Sequence, residues 1–474
     1  MLELLCVLCI LIFIGCFWAI KQHLAFGKAR ASLQDHLRGH PSSSLSDDSK
    51  DAILLICKPS ALANYLIKHC TTFHGFWTSL SWTWNWTSSP FLQTIFNTCW
   101  PVDGKIHFIR DCLQMSDEGL VALDWAVPGT ALHRRRRASS NSTAPVLVII
   151  PNSFGRLTRN TVKLCETALD HGYLPVVFNR RSQNGTPLST PRLQQFGDPS
   201  DLREAIRYIR YRHPSGRLYA VSESTGSGLL LSYLGECGSS SYMTAAACIS
   251  PIFRCQDWFE SGPPWIYHWP LLLYQKICLS RYTTALSEII HMEELFSSCS
   301  LRVSEEAMFC HSGAKEAEGS YSTSPWESYW ERNDPLRDVD EVAIPVLCLC
   351  SRDDPIRGDP STTVPFELFE TNPHFFLLLT STGGHCGFIS SGSNRDISSS
   401  SYMWSHQALL EFFHATSEFF AAEERTKLAV RRRGLGVGSN VKGFPCRSVS
   451  ICKKEAVCSH NIHDIYNWQR SYTR

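Results

Sequence analysis

The sequence predicts an α/β architecture: a mostly parallel sheet flanked by helices, with a helical cap inserted between two late strands. Three observations predict it. From residue 145 onward, short apolar runs alternate with helical stretches, the pattern of a buried parallel sheet wrapped by helices. An aromatic-rich, helical stretch at residues 252–332 interrupts that rhythm between two strands. A serine, an aspartate and a histidine then occur in that order, each just after an apolar run.

Before the alternation begins, the chain is heterogeneous. Residues 2–20 are apolar apart from Glu3. As a helix they would span about 28 Å, close to the hydrocarbon thickness of a bilayer. No basic segment precedes them and no small-residue cleavage site follows, so an uncleaved anchor is expected rather than a signal peptide. Residues 21–100 read as a linker and N-terminal segment, Ser- and Asp-rich at 33–51, Trp-rich at 51–100, with a helix starting at 52–65. The main α/β domain is expected at 101–425, with its cap at 252–332, and a disordered basic tail at 426–474. Residues 105–125 predict a β-hairpin around Ser116, Asp117, Glu118 and Gly119, and residues 131–143 form a basic, Ser-rich loop.

The alternating part follows. Strands are expected at 145–150, 175–178, 218–222, 245–249, 346–350 and 375–379, each a short run rich in apolar residues. Helices are expected at 161–171, ended by Gly172, at about 199–212 with Asp198 as N-cap and Pro199 in the first turn, and at 226–234.

The strand at 218–222 runs into Ser222-Glu223-Ser224-Thr225-Gly226. A nucleophile elbow needs small residues two before and two after its serine, because the turn is strained and the backbones around it pack closely. Centred on Ser224, the frame keeps Gly226 and has Ser222 for the first glycine. Centred on Ser222, it loses both, so Ser224 is preferred and Ser222 is the alternate. The strand at 346–350 ends in Asp353-Asp354-Pro355. Either aspartate could orient a histidine; Asp354 fits better, with Asp353 as the alternate. The strand at 375–379 leads into Gly383-Gly384-His385. Serine, aspartate and histidine, each after a strand, is the order of the α/β-hydrolase fold. His385 would take the proton of Ser224, and Asp354 would hold the imidazole. Oxyanion donors are expected from the Thr225 N–H and from the loop after the first parallel strand, at Ser153 or Phe154. The side chain of Ser222 is expected to crowd the elbow, so that restoring glycine would speed ester turnover about tenfold.

Several motifs carry a resemblance. Pro90-Phe91-Leu92-Gln93-Thr94, Asp117-Glu118-Gly119 with Leu123-Asp124-Trp125, and Gly383-Gly384-His385-Cys386-Gly387-Phe388 resemble motifs of the membrane-anchored α/β-hydrolase-domain proteins, the AB hydrolase superfamily four lineage. Phe91 stands where that lineage has histidine, and Arg180-Arg181-Ser182 where it has an arginine–glycine pair. The resemblance implies lipid-ester hydrolysis by serine, aspartate and histidine, with no metal or organic cofactor.

Composition narrows the partners. The formal net charge of +1 gives no field that would attract nucleic acid. The 20 cysteines include Cys248, Cys348 and Cys350 on candidate core strands, where free thiols act as small hydrophobes. Cys6 and Cys9 form a C-x-x-C, but inside the apolar N-terminus, and no other Cys/His group has metal-ligand spacing. The expected substrate is a lipid ester met at a membrane, with the endoplasmic reticulum as the expected location and secretion after cleavage as the alternative. The competing class is an inactive scaffold that regulates lipid metabolism through a protein partner, which residues 465–470 could dock. Lys21, Lys28, Arg30 and Arg38 follow the apolar segment and favour a cytosolic domain. The sequons at Asn85, Asn141 and Asn184 would matter only on the other side.

Overall fold

Strand β1 has three residues, Leu54–Ile56, yet it forms one edge of the sheet. It pairs antiparallel with the last strand, Leu54 opposite Leu379. This corrects the expectation of a single helix at 52–65. The helix there, α1, starts only at Ala61 and ends at His69. Pro59 disfavours helix at the residue before it, and Ser60 caps α1 by accepting the Ala63 N–H at 3.0 Å. With α2, Pro90–Cys99, these elements make part of the segment ahead of residue 101 integral to the fold. The computed structural model describes residues 53–74, 89–99, 106–129, 143–155, 157–310, 324–389 and 403–436. The apolar segment at 2–20, the basic loop at 131–142, Asn85, Asn141 and the docking peptide at 465–470 lie outside them.

The predicted hairpin is β2, Ile106–Gln114, with β3, Leu120–Pro128. Its turn puts Glu118 at a φ of 64°. The chain then alternates through β4, Val146–Ile150; α3, Arg159–Asp170; β5, Leu174–Asn179; α4, Ser200–Arg212; β6, Leu218–Glu223; α5, Gly226–Cys237; and β7, Met243–Ile249. Helix α4 starts at Ser200, whose N–H is accepted by Asp198 Oδ1 at 3.0 Å. After an insertion come β8, Val346–Ser351, and β9, Phe375–Thr380. The nine strands run in the order β1-β9-β8-β7-β6-β4-β5-β3-β2. Strands β4 to β9 are parallel wherever they pair with one another, and β1, β2 and β3 are antiparallel additions at the two edges.

Every side chain of β4, β6, β8 and β9 is buried. That explains why the strands read as unbroken apolar runs: both faces are covered. One face packs Leu202, Ile206, Leu230 and Phe369 over the sheet. The other packs Leu164, Leu66, Phe412 and Phe413. Each such side chain contributes about 1.5–3 kcal/mol by leaving water. Cys248, Cys348 and Cys350 are buried and free.

The insertion holds α6, Cys255–Ser261; α7, Trp265–Ser280; α8, Thr283–Leu286; α9, Met292–Ser297; α10, Leu301–Phe309; and α11, Pro325–Asn333. Its aromatic residues form a core of their own: Phe259 packs against Phe196, Trp258 and Trp330 with ring centroids 5.2–5.6 Å apart. Two short helices, α12 at Pro360–Thr363 and α13 at Phe366–Thr371, lie between β8 and β9. The last helix, α14, runs from Trp404 to Gly436, which corrects the expected start of a disordered tail at 426. Residues 421–433 are mostly Ala, Glu, Lys and Arg, all good helix formers. Among the described residues no helix is long and apolar enough to cross a membrane.

Candidate active site

Strand β6 carries its register straight into the turn. Ser222 lies opposite Ile150 and Cys248. Ser224 then takes a φ of 51°, a left-handed conformation that costs free energy in a residue with a Cβ and lifts the side chain off the strand. Its N–H is held by the Ile249 carbonyl at 2.9 Å. Gly226 shows why one glycine of the motif is kept: a Cβ there would come within 2.2 Å of the Pro151 carbonyl oxygen. Ser222 shows why the other can be lost. Its side chain is fully buried without displacing Ser224, although its hydroxyl finds no partner among the described residues. The crowding expected at the elbow is therefore not seen.

Three side chains meet at this turn. Ser224 Oγ lies 2.7 Å from His385 Nε2, and His385 Nδ1 lies 2.8 Å from Asp354 Oδ2 and 3.0 Å from Oδ1. Asp354 is fully buried and accepts the N–H groups of Ile356 and Arg357 at 2.9 and 3.0 Å. Burial alone would raise its pKa, but His385 and Arg357 override this and hold the carboxyl below its ordinary range. Burial alone would lower that of His385, and the facing carboxylate raises it instead. Each partner thus favours the charged form of the other. Asp353 does not touch the imidazole; its Oδ1 accepts the Gly384 N–H at 2.9 Å and so shapes the histidine loop.

The loop after β4 stands against the elbow. Ser153 directs both its N–H and its hydroxyl to Thr225 Oγ1, each at 2.9 Å. The Phe154 N–H is accepted by Asn152 Oδ1 at 3.1 Å. Both expected loop donors are thus occupied within the protein. A cavity of about 530 Å³, part of it open to solvent, lies over the site, lined by Ser224, His385, Phe154, Trp258, Leu271 and Ile356 among others.

Sequence reasoning missed the groups that support the site. Thr94 Oγ1 accepts the His385 N–H at 3.0 Å, and Asn97 Nδ2 donates to the Cys386 carbonyl at 2.9 Å. Gly384 passes so close to α2 that a Cβ would lie 2.6 Å from the Pro90 carbonyl oxygen. The Pro90–Thr94 motif was therefore visible in the sequence without its purpose. Glu223, beside the nucleophile candidate, is buried and accepts from Thr158, Asn160 and Thr161 at 2.8–2.9 Å. Burial raises its pKa. The hairpin motif has a structural explanation: Asp124 binds Arg110 and Asn179, and Asp117 binds Arg181. The sequon at Asn184 is spoken for, since its amide donates to Asn179 Oδ1 at 2.9 Å and Thr186 is fully buried.

No protein-family model matches the chain. Individual relatives do. The chain is 49% identical to human Protein ABHD15 over 439 residues, 92% of this chain and 89% of that protein. Phospholipase ABHD3 of Mus musculus is 26% identical over 344 residues, 71% of this chain and 78% of that one. The monoacylglycerol lipase of Saccharomyces cerevisiae is 24% identical over 342 residues, 64% and 75% of the two chains.

Proposed function

Since the chain belongs to the AB hydrolase family, with Protein ABHD15 among its relatives, we propose that it is a serine carboxylic-ester hydrolase that acts on lipid esters through Ser224, His385 and Asp354. The observation that carries this reading is the unbroken hydrogen-bonded line from Asp354 through His385 to Ser224. His385 removes the Ser224 proton as Oγ bonds to the ester carbonyl carbon. Asp354 fixes the imidazole tautomer and stabilises its charged form. The ester C–O bond then breaks, and the alcohol leaves with the proton from His385. Water activated by the same imidazole releases the acid and restores Ser224. The Thr225 N–H would stabilise the oxyanion, joined by the Phe154 N–H once substrate displaces Asn152 Oδ1.

A lipid substrate is supported by the cap. Trp265, Trp269, Leu273 and Ile277 stand exposed at four-residue intervals along α7, so they share one side of the helix. Leu271, on the same helix, lines the Ser224 cavity. An exposed row of tryptophan and aliphatic side chains suits the boundary of a lipid layer, while Leu271, on the other side of the helix, gives the serine cavity an apolar wall. The phospholipase and monoacylglycerol lipase among the relatives fit the same reading. The expected anchor at residues 2–20 would keep this face at a membrane. The test is hydrolysis of a monoacylglycerol or a phosphatidylcholine in vesicles by the full chain. Turnover lost in Ser224→Ala supports the proposal; equal turnover in both proteins refutes it.

A further inference from the structure

A second cavity lies between the cap and the sheet, separated from the Ser224 cavity by Phe154, which lines both. It spans about 650 Å³, part of it open to solvent, and its walls include Arg180, Glu305, Gln183, Phe196, Phe259 and Phe309. The first two are unusual there. Arg180 is 5% exposed and Glu305 is 6% exposed. Burying one ion costs several kcal/mol unless a partner offsets it. Arg180 has no such partner. Its guanidinium donates to the backbone carbonyls of Gln195 and Phe196, at 3.2–3.3 Å, and among the described residues no carboxylate reaches it at ion-pair distance. The adjacent Arg181 is the contrast, paired with both Asp117 and Asp201 at 2.7 Å.

Glu305 is held away from Arg180 by built structure. Its Oε1 accepts the Tyr329 hydroxyl at 2.7 Å, and that hydroxyl accepts the Phe196 N–H at 3.1 Å. The Phe196 carbonyl is the group Arg180 grips. Phe196 and Tyr329 therefore stand between a cation and a carboxylate that line one cavity without meeting. Burial pushes Glu305 up to about 7 and Arg180 down to about 10, so the surrounding protein groups alone do not fully satisfy either charge.

A separated positive and negative group lining one cavity is the complement of a zwitterion. Phenyl rings on the same walls add a surface suited to an alkylammonium ion. A guanidinium suits a phosphate, which it can bind through two parallel N–H groups. The cavity also borders the reaction site: Ser153 lines it and bonds to Thr225, the residue after Ser224. We propose that the Arg180–Glu305 cavity binds a zwitterionic phosphodiester–ammonium headgroup, phosphate toward Arg180 and ammonium toward Glu305 and the phenyl rings, so that the esters cleaved at Ser224 are those of glycerophospholipids. The statement about cleavage rests on the hydrolase reading; the statement about binding does not.

Two arms keep them apart. The first is calorimetry with glycerophosphocholine on the full-length Ser224→Ala chain, with inorganic phosphate as the comparison. Binding of glycerophosphocholine, weakened about tenfold or more by Arg180→Gln and by Glu305→Gln, supports the subsite. No binding, binding indifferent to both substitutions, or equal binding of phosphate alone overturns it. The second arm measures the ratio of phosphatidylcholine to diacylglycerol turnover at matched acyl chains. A drop of about tenfold in that ratio in Arg180→Gln is expected. An equal loss on both lipids would make Arg180 a clamp on the Gln195–Phe196 backbone and overturn the proposal. Glu305→Gln keeps shape and hydrogen bonding, so it remains informative if Arg180→Gln misfolds. If glycerophosphocholine binds and neither lipid is hydrolysed, the hydrolase reading fails and the binding site stands.

Discussion

Thr94 Oγ1 accepts the backbone N–H of His385 at 3.0 Å across 291 residues of sequence. A helix that precedes the parallel sheet thus sets the position of the imidazole. Replacing Thr94 with valine keeps the volume and removes the acceptor, leaving a buried N–H unpaired at a cost of about 1–3 kcal/mol. Thr94→Val is expected to lower kcat at least tenfold with KM little changed, and Thr94→Ser to restore it. A KM effect alone, or no rescue by serine, would show that Thr94 merely fills space.

Asp354 and Asp353 separate by role. Asp354→Asn removes the charge that orients and stabilises His385, so kcat should fall about a thousandfold or more in a folded protein. Asp353→Asn weakens only the bond to the Gly384 N–H and should cost much less. The reverse order in steady-state kinetics would mean that the wrong carboxylate has been assigned.

The pH dependence has a definite sign. His385 acts as a base only when neutral, and Asp354 raises its pKa above the ordinary value of about 6.5. Activity should therefore rise with pH along a limb lying to the alkaline side of 6.5. The residual activity of Asp354→Asn should show that limb at lower pH. Stability follows the same pair. The raised histidine contributes fully below about 6.5 and is lost as pH rises through its folded pKa; the depressed aspartate contributes above about 3.9 and is lost as pH falls through its own. Asp354→Asn should thus destabilise most near pH 5 and less in alkaline buffer, as read by urea unfolding.

At the elbow, the buried Ser222 hydroxyl has no partner among the described residues, yet Ser224 stands within reach of His385. Ser222→Ala should therefore stabilise the fold by about 1 kcal/mol. Ser222→Gly should leave ester turnover within about twofold, rather than raising it the tenfold that crowding would predict. A large gain in Ser222→Gly would show that the serine does displace the nucleophile.

What the sequence conveyed follows from the range of each interaction. Strands β4 to β9 were legible because burial on both faces makes each a local apolar run. The candidate residues Ser224, Asp354 and His385 were legible because each follows such a strand. Strand β1 was not: three apolar residues carry no period, and the partner Leu379 is distant in sequence. The support of the histidine loop by Thr94 and Asn97 has the same cause, since both contacts cross most of the chain. The pairing of Phe154 N–H with Asn152 Oδ1 is a matter of loop conformation, which no residue pattern announced.

The α7 ridge gives a prediction about lipid layers. Replacing Trp269 and Leu273 with serine removes two exposed apolar side chains and should lower the ratio of vesicle-lipid to dissolved-ester turnover about tenfold. Vesicle co-sedimentation should fall in parallel. An unchanged ratio would separate the ridge from substrate capture.

The central claim is that His385 activates Ser224. A fluorophosphonate reacts only with a serine whose proton is taken, so labelling of the full chain tests it directly. Labelling of the wild type that disappears in Ser224→Ala, persists in Ser222→Ala and falls sharply in His385→Ala is the predicted result. A folded wild-type chain that takes no label, or label that survives Ser224→Ala and vanishes in Ser222→Ala, would contradict it.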